Sequence, residues 1–342
     1  MDGESKRRLY LVMMNKFFQI VRVQNLLIIL LIGWMAKYAI FTPIIVKAFP
    51  SSGIQPALSD LHFILLALSI LLITASGNLF NDIQDLKTDL INKPEKVKYN
   101  SLFSKETALN IHHVFNLIGL IIAFYLSYEL DQFSLTILFI VPIILLRVYS
   151  TLLKSIPFIG NLTIALLAAL VPFTFGLFES IALEKQFPNV FFFVYDLSFW
   201  ESPTGLALGF IIGISIFSGL YTLIREIIKD VQDLEGDKAT SITTIATQLG
   251  IKKTKIIIVL LIIVTILLLI LIGSKHLFNN PSFPFAFQYT SGIIALSGGL
   301  IYQVIRSENS KDFGVASLLC KVIMIAGTLY GLIFWMFYQS AF

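Results

Sequence analysis

Asn81-Asp82-Ile83-Gln84-Asp85-Leu86-Lys87-Thr88-Asp89 follows directly on a long apolar run, and Lys229-Asp230-Val231-Gln232-Asp233-Leu234-Glu235-Gly236-Asp237 follows on another. Both stretches read D-x-x-D-x-x-x-D. Each aspartate of the second lies 148 residues after its counterpart: 230 after 82, 233 after 85, 237 after 89. On a helix, positions i, i+3 and i+7 share a face. Each stretch therefore predicts a column of three carboxylates where an apolar helix ends. Such a column repels itself unless it is solvated or bound to cations. Two of them where membrane helices leave the bilayer point to divalent metal.

The rest of the chain reads as that membrane protein. Of its 342 residues 56% are hydrophobic and 13% charged, about half the charge of a soluble domain, and the mean hydropathy is +0.84. Apolar runs of about 20 residues mark membrane spans. They fall at 23–42, 61–80, 109–129, 132–149, 159–180, 205–227, 255–273, 287–305 and 314–338. The expected fold is all-α, with nine transmembrane helices in one bundle. Leu9–Val21, with Lys16 and Arg22, reads as a helix lying at the interface before the first span. Lys37 falls inside that span and is expected to snorkel outward. The aromatic segment Phe187–Trp200 reads as an interfacial anchor. The basic start, Met1 to Arg8, is not followed by a short apolar segment with a small-residue cleavage site, so no cleaved signal is expected. Cys320 is the single cysteine. It sits in an apolar run and reads as packing filler.

Charge placement orients the spans. With the N-terminus cytoplasmic, segments 1–22, 81–108, 147–158, 225–255 and 306–313 lie on one side and hold 20 of the 25 Lys and Arg residues. Lys37, Lys47, Lys185 and Lys275 lie opposite. That bias follows the positive-inside rule and places the C-terminus outside, in a cell membrane of bacterial or archaeal type. Both aspartate columns then face the cytoplasm, after spans two and six. The constant offset suggests a duplicated four-helix unit. One domain, 1–342, would comprise an N-terminal segment 1–22, two pseudo-repeated halves around 23–150 and 159–305, and an added helix 314–338.

A carboxylate near the hydrocarbon boundary is costly and usually functional. Oxygen-only ligands suit Mg²⁺, which keeps several waters and bridges a few carboxylates to substrate phosphate. Two facing columns would hold a diphosphate through metal. Basic residues on the same side are candidates for the remaining oxygens: Arg22, Lys93, Arg147, Lys154 with nearby Tyr149, and Arg225 with Tyr221 one turn before it. The histidines form no HExxH or Cys/His cluster, so zinc is not expected. No G-x-x-x-x-G-K-[ST] stretch is present, which argues against ATP chemistry, and no nucleic-acid partner is expected.

These residues resemble a known family. Asn81-Asp82-x-x-Asp85-x-x-x-Asp89 and Asp230-x-x-Asp233-x-x-x-Asp237 are similar to the two aspartate-rich motifs of the UbiA superfamily of intramembrane prenyltransferases. Lesser matches are Arg22-Val23-Gln24-Asn25, Asn92-Lys93-Pro94, Tyr149 to Lys154, and Gly160-Asn161. The segment from Arg225 to Asp237 is especially similar to the branch that makes digeranylgeranylglyceryl phosphate, an ether lipid. Glu95-Lys96-Val97-Lys98 departs from the family's basic Pro-rich continuation, so that loop tip is not carried over. The resemblance implies an allylic polyprenyl diphosphate donor, its tail among the spans or toward membrane lipid. It implies Mg²⁺ held by Asp82, Asp85, Asp230 and Asp233, with Asp89 and Asp237 completing the shell and Asn81 orienting a bound oxygen. Arg225 and Lys154 would stabilise charge on the departing diphosphate. The acceptor would be a lipid hydroxyl, or an aromatic carbon of the 4-hydroxybenzoate, homogentisate or naphthoate type.

Other classes fit less well. A transporter predicts carboxylates near the bilayer midplane and helices broken there. A CDP-alcohol phosphotransferase needs a longer single motif with Gly and Arg between its aspartates, and 82–89 contains neither. A degenerate scaffold would not need intact aspartates in both stretches.

Overall fold

The structure, a computed structural model, describes residues 7, 14, 17–48, 57–86, 104–188, 202–278 and 285–339; at 276, 277 and 337–339 it describes the backbone alone. Asp89, Lys93, the Asn92-Lys93-Pro94 turn, most of Leu9–Val21 and residues 189–200 of the aromatic segment lie outside the described residues.

Helices and no strands occur among them. In chain order they are α1, Val23–Ala48, with a π-helical stretch at Met35–Phe41; α2, Asp60–Gln84; α3, Lys105–Glu129; and α4, Ile137–Thr151, prefaced by a 3₁₀ turn. Then come α5, Ile159–Gln186; α6, Pro203–Gln232; α7, Leu234–Ala239; α8, Ile245–Ile272; α9, Ala286–Arg306; and α10, Ser310–Gln339. Several starts are written in the sequence. Ser104 caps α3 by accepting from Thr107 N–H at 3.1 Å, Ser202 caps α6 ahead of Pro203, and Thr244 and Thr247 form a reciprocal capping box on α8. Each satisfies amides that a helix start leaves open.

Eight described helices are long and apolar enough to cross a membrane. The expectation was nine. Helix α9 falls where the eighth span was expected but is not among them. Its run Tyr289-Thr290-Ser291-Gly292, then Ser297, Gly298, Gly299 and Gln303, dilutes its apolar content.

The described chain divides into two compact units. The first comprises Met1–Leu30, Asp60–Ser155 and Glu235–Ile242; the second comprises Leu31–Ser59, Ile156–Leu234 and Thr243–Phe342. The cut at Ser155 falls between the two expected halves. Most of α1 belongs to the second unit rather than the first.

Within the first unit α2 packs on α3 and α4. Gly77 brings α4 close: a Cβ there would lie 2.6 Å from Leu146 Cδ1. Ser69 Oγ donates to the Gly119 carbonyl at 2.7 Å, tying α2 to α3. Within the second unit α6 is central, packed on α5, α8 and α10. Its buried face includes Tyr221, Ile224, Ile227, Ile228 and Val231.

Lys37 does not snorkel. It is 3% exposed, and its ammonium donates to the Leu58 carbonyl. The Leu58 N–H in turn donates to Glu179 Oε1 on α5 at 3.4 Å, and Glu179 is 2% exposed. A buried charge is tolerated when protein groups replace the hydrogen bonds of water. Here the backbone of one residue, Leu58, joins two buried ionisable side chains.

Candidate active site

The first acidic stretch occupies the end of α2, in the first unit. The helical period turns Asn78, Asn81, Asp82 and Asp85 toward the segments packed beside it. Asn78 Nδ2 donates to the Val21 carbonyl at 3.2 Å and holds the N-terminal segment in place. The next residue, Arg22, has a left-handed backbone (φ 56°). Such a conformation is unfavourable for a residue with a Cβ and often marks a functional turn. It delivers Arg22 Nη2 to within 3.0 Å of Asp82 Oδ1.

Asp85 lies just past the last turn of α2 and is buried. Its Oδ2 accepts Asn81 Nδ2 at 2.7 Å and Lys154 Nζ at 2.5 Å. Asn81 Oδ1 accepts Ser150 Oγ at 3.3 Å. Ser150 and Lys154 come from the end of α4 and the 3₁₀ turn Leu153–Ser155. One amide, one hydroxyl and two cations thus fix two carboxylates. Both bonds to Asp85 fall on Oδ2; among the described residues Oδ1 takes none, which leaves it for a metal or its bound water.

The second stretch ends α6, in the second unit. Asp230 Oδ2 accepts Asn161 Nδ2 at 2.9 Å. Asn161 is positioned by the first turn of α5, which starts after Phe158, another left-handed residue (φ 68°). Asp233 closes α6, its N–H donating to the Lys229 carbonyl at 2.8 Å. Glu226, one turn before Asp230, lies on the same helix face. Its Oε1 pairs with Arg225 Nη1 at 2.7 Å and its Oε2 with Lys229 Nζ at 2.9 Å. Arg225 Nε is buried and has no hydrogen-bond partner among the described residues. Asp237 is buried on α7 and belongs to the first unit, with Asp82 and Asp85. The chain passes from one unit to the other inside the second motif.

Several sequence expectations are placed differently. Tyr221 is fully buried and bonds Ser297 Oγ at 2.5 Å inside the core of the second unit. Its hydroxyl is thus taken up by a core hydrogen bond in the second unit. Tyr149 is half-buried on α4, a third of a turn from the Ser150 face. Arg225, expected at the diphosphate, pairs with Glu226. Ser150 and Glu226 escaped the sequence reading. Glu226 had a readable signal, its i, i+4, i+7 register with Asp230 and Asp233. Ser150 had none, because its role depends on the α2–α4 contact.

Among the described residues no three His, Cys, Asp or Glu side chains converge as a self-sufficient metal cage. Mg²⁺ does not require one. It binds through one or two carboxylates, waters and substrate phosphate oxygens. The all-oxygen donors Asp82 and Asp85 in the first unit fit it, and so do Asp230 and Asp233 in the second.

A model of the UbiA prenyltransferase family matches residues 39–321. Among curated relatives, the digeranylgeranylglyceryl phosphate synthase of Sulfolobus acidocaldarius is 32% identical over 274 residues, covering 78% of this chain and 83% of that one. The synthase of that name from Methanobrevibacter smithii is 28% identical over 91% of this chain and 95% of that one. Among solved structures, one described as a digeranylgeranylglyceryl phosphate synthase in membranes superposes with a TM-score of 0.60 at 20% identity, covering 94% of this chain and 98% of that one. A UbiA homologue from Archaeoglobus fulgidus bound to GPP and Mg²⁺ superposes at 0.54 and 15% identity, covering 93% and 98%. The family match spans most of the chain and both acidic stretches: this protein is an integral membrane enzyme of the UbiA prenyltransferase family.

Proposed function

We propose that the protein transfers a geranylgeranyl group from its allylic diphosphate to the hydroxyl of a glyceryl phosphate lipid, with Mg²⁺, releasing diphosphate. The observation that carries this reading is the pair of built acidic half-sites, Asn81–Asp85–Lys154 and Asn161–Asp230, in a chain whose relatives of that activity match along 78% and 91% of its length.

In this reading both motifs serve one diphosphate. Asp82, Asp85, Asp230 and Asp233 would hold the metal, with Asp89 and Asp237 completing the shell. Bound Mg²⁺ supplies charge neutralisation for the leaving group. Lys154, Arg22 and Arg225 exchange their carboxylate partners for diphosphate oxygens and stabilise negative charge as the allylic carbon–oxygen bond breaks. Lys93 is proposed to join them. Asn81 and Asn161 keep the aspartates oriented, as outer partners of metal ligands do. The apolar spans keep water from the cation-like carbon. We also propose that the whole chain acts as one domain in a cell membrane, with α9 completing nine spans, the N-terminus cytoplasmic and the C-terminus outside.

Purified protein given labelled geranylgeranyl diphosphate, Mg²⁺ and a glyceryl ether phosphate is expected to form the doubly prenylated lipid. It should not do so in EDTA. Prenylation of 4-hydroxybenzoate, homogentisate or a naphthoate in preference would move the enzyme to quinone synthesis. No product with any of these would overturn the reading.

A further inference from the structure

Two anions must be recognised in the reaction proposed above: the diphosphate of the donor and the phosphate of the acceptor. The cations already paired with the first motif are Arg22 and Lys154. A third cation of the first unit lies on the same side of α4 and is differently engaged. Arg147 precedes Ser150 by three residues, so the two share one face of α4, and Lys154 follows in the 3₁₀ turn just beyond the helix end. Their contacts agree: Lys154 meets Asp85, Ser150 meets Asn81, and the Arg147 guanidinium lies over the ring of Phe80, 5.8 Å from its centroid.

Among the described residues no carboxylate pairs with Arg147, which is exposed. Arg147 lies about one turn before the end of α4, on the side where the charge bias gathers the other cations. A guanidinium over the face of a ring still has N–H groups to present, and that fork matches two oxygens of a phosphate. The platform beneath it is braced. Phe80 stacks on His112 at 4.9 Å, and His112 is buried and bonded through Nδ1 to Ser76 Oγ at 2.7 Å. Asn116 Nδ2 lies 3.3 Å from His112 Nε2. The exposed His113 ring abuts His112 at 5.1 Å. Phe80 adjoins Asn81 in sequence, so this subsite borders the first motif without sharing its carboxylates.

We propose that Arg147 binds the phosphate monoester of the glyceryl lipid acceptor and selects phosphorylated over unphosphorylated glyceryl ethers. This rests on the reading of the reaction given above.

The test is steady-state kinetics of Arg147→Gln and Arg147→Lys with geranylgeranyl diphosphate, using a glyceryl ether phosphate and the same ether without phosphate. Assays run in neutral detergent and in vesicles with and without anionic phospholipid. The expected result is a rise of about tenfold or more in acceptor KM for Arg147→Gln. Donor KM should change less than about twofold, and the preference for the phosphorylated acceptor should fall toward unity. Arg147→Lys should restore part of it. An equal rise in both KM values, or no rise in acceptor KM, overturns the assignment while leaving the reaction intact. An effect that follows anionic phospholipid content rather than acceptor phosphate assigns Arg147 to the bilayer surface and also overturns it. A wild-type enzyme that uses only aromatic acceptors overturns both this assignment and the reaction beneath it.

Discussion

Lys154 Nζ lies 2.5 Å from Asp85 Oδ2, joining positions 69 residues apart in sequence. The pair places a cation against a carboxylate that the family pattern marks for metal. A cation so placed can pass to a diphosphate once metal takes the carboxylate. Lys154→Met should therefore lower kcat/KM for the donor by about 100-fold, the scale of losing one stabilising donor at a developing anion. Protein yield and helicity should be near normal. A variant with unchanged kinetics would assign Lys154 to surface charge.

Asn161 Nδ2 to Asp230 Oδ2, 2.9 Å, repeats in the second unit what Asn81 does for Asp85. Partners of this kind are worth about 10–100-fold in metal affinity or activity. Asn161→Ala and Asn81→Ala should each raise the Mg²⁺ concentration needed for half-maximal turnover by about that factor. Turnover at saturating Mg²⁺ should recover substantially. A Mg²⁺ requirement like that of the wild type in both variants would contradict the orienting role.

Tyr221→Phe tests the reassignment of Tyr221 to the core. The hydroxyl bonds only Ser297 among the described residues. Its loss should cost about 1 kcal/mol of stability, read as a lower melting temperature in detergent, while donor KM stays at the wild-type value. A raised donor KM at unchanged stability would return Tyr221 to the diphosphate site.

Lys37→Met removes the donor to the buried Leu58 carbonyl. Leaving that acceptor unsatisfied should cost about 1–3 kcal/mol, again as a lower melting temperature. Specific activity of the folded fraction should persist, since Lys37 belongs to the second unit's packing rather than to either motif. Full stability in the variant would mean that the bond contributes nothing net.

The acidic stretches were readable because their information is local. Aspartate spacing and an apolar run before each suffice to place Asp82, Asp85, Asp230 and Asp233 at helix ends, and Lys154 followed from its position beyond a span; the expected column of three on one helix face does not hold in the second stretch, where α6 ends at Gln232 and Asp237 lies on α7. What could not be read depends on contacts between distant segments. Nothing near Lys37 announces that the Leu58 peptide will take its charge. Tyr221 reads like Tyr149, an aromatic hydroxyl near a basic residue, until the packing of α6 buries one and leaves the other half-exposed. Helix α9 shows the converse. Its length is that of a span, but its serines, glycines and glutamine keep it below the apolarity of its neighbours. Glu226 carries a local signal too, since 226, 230 and 233 share one face of α6.

The claim that both motifs serve one diphosphate can be tested by binding alone. The measurement is a double-mutant cycle between Asp82→Asn and Asp230→Asn, read in Mg²⁺-dependent binding of geranylgeranyl thiolodiphosphate to the purified protein. If one diphosphate is held through both motifs, each single substitution weakens binding by at least about tenfold. The double variant then loses far less than the two effects combined, because the sites are coupled. Wild-type affinity in either single variant, or losses that simply add, would contradict a shared diphosphate.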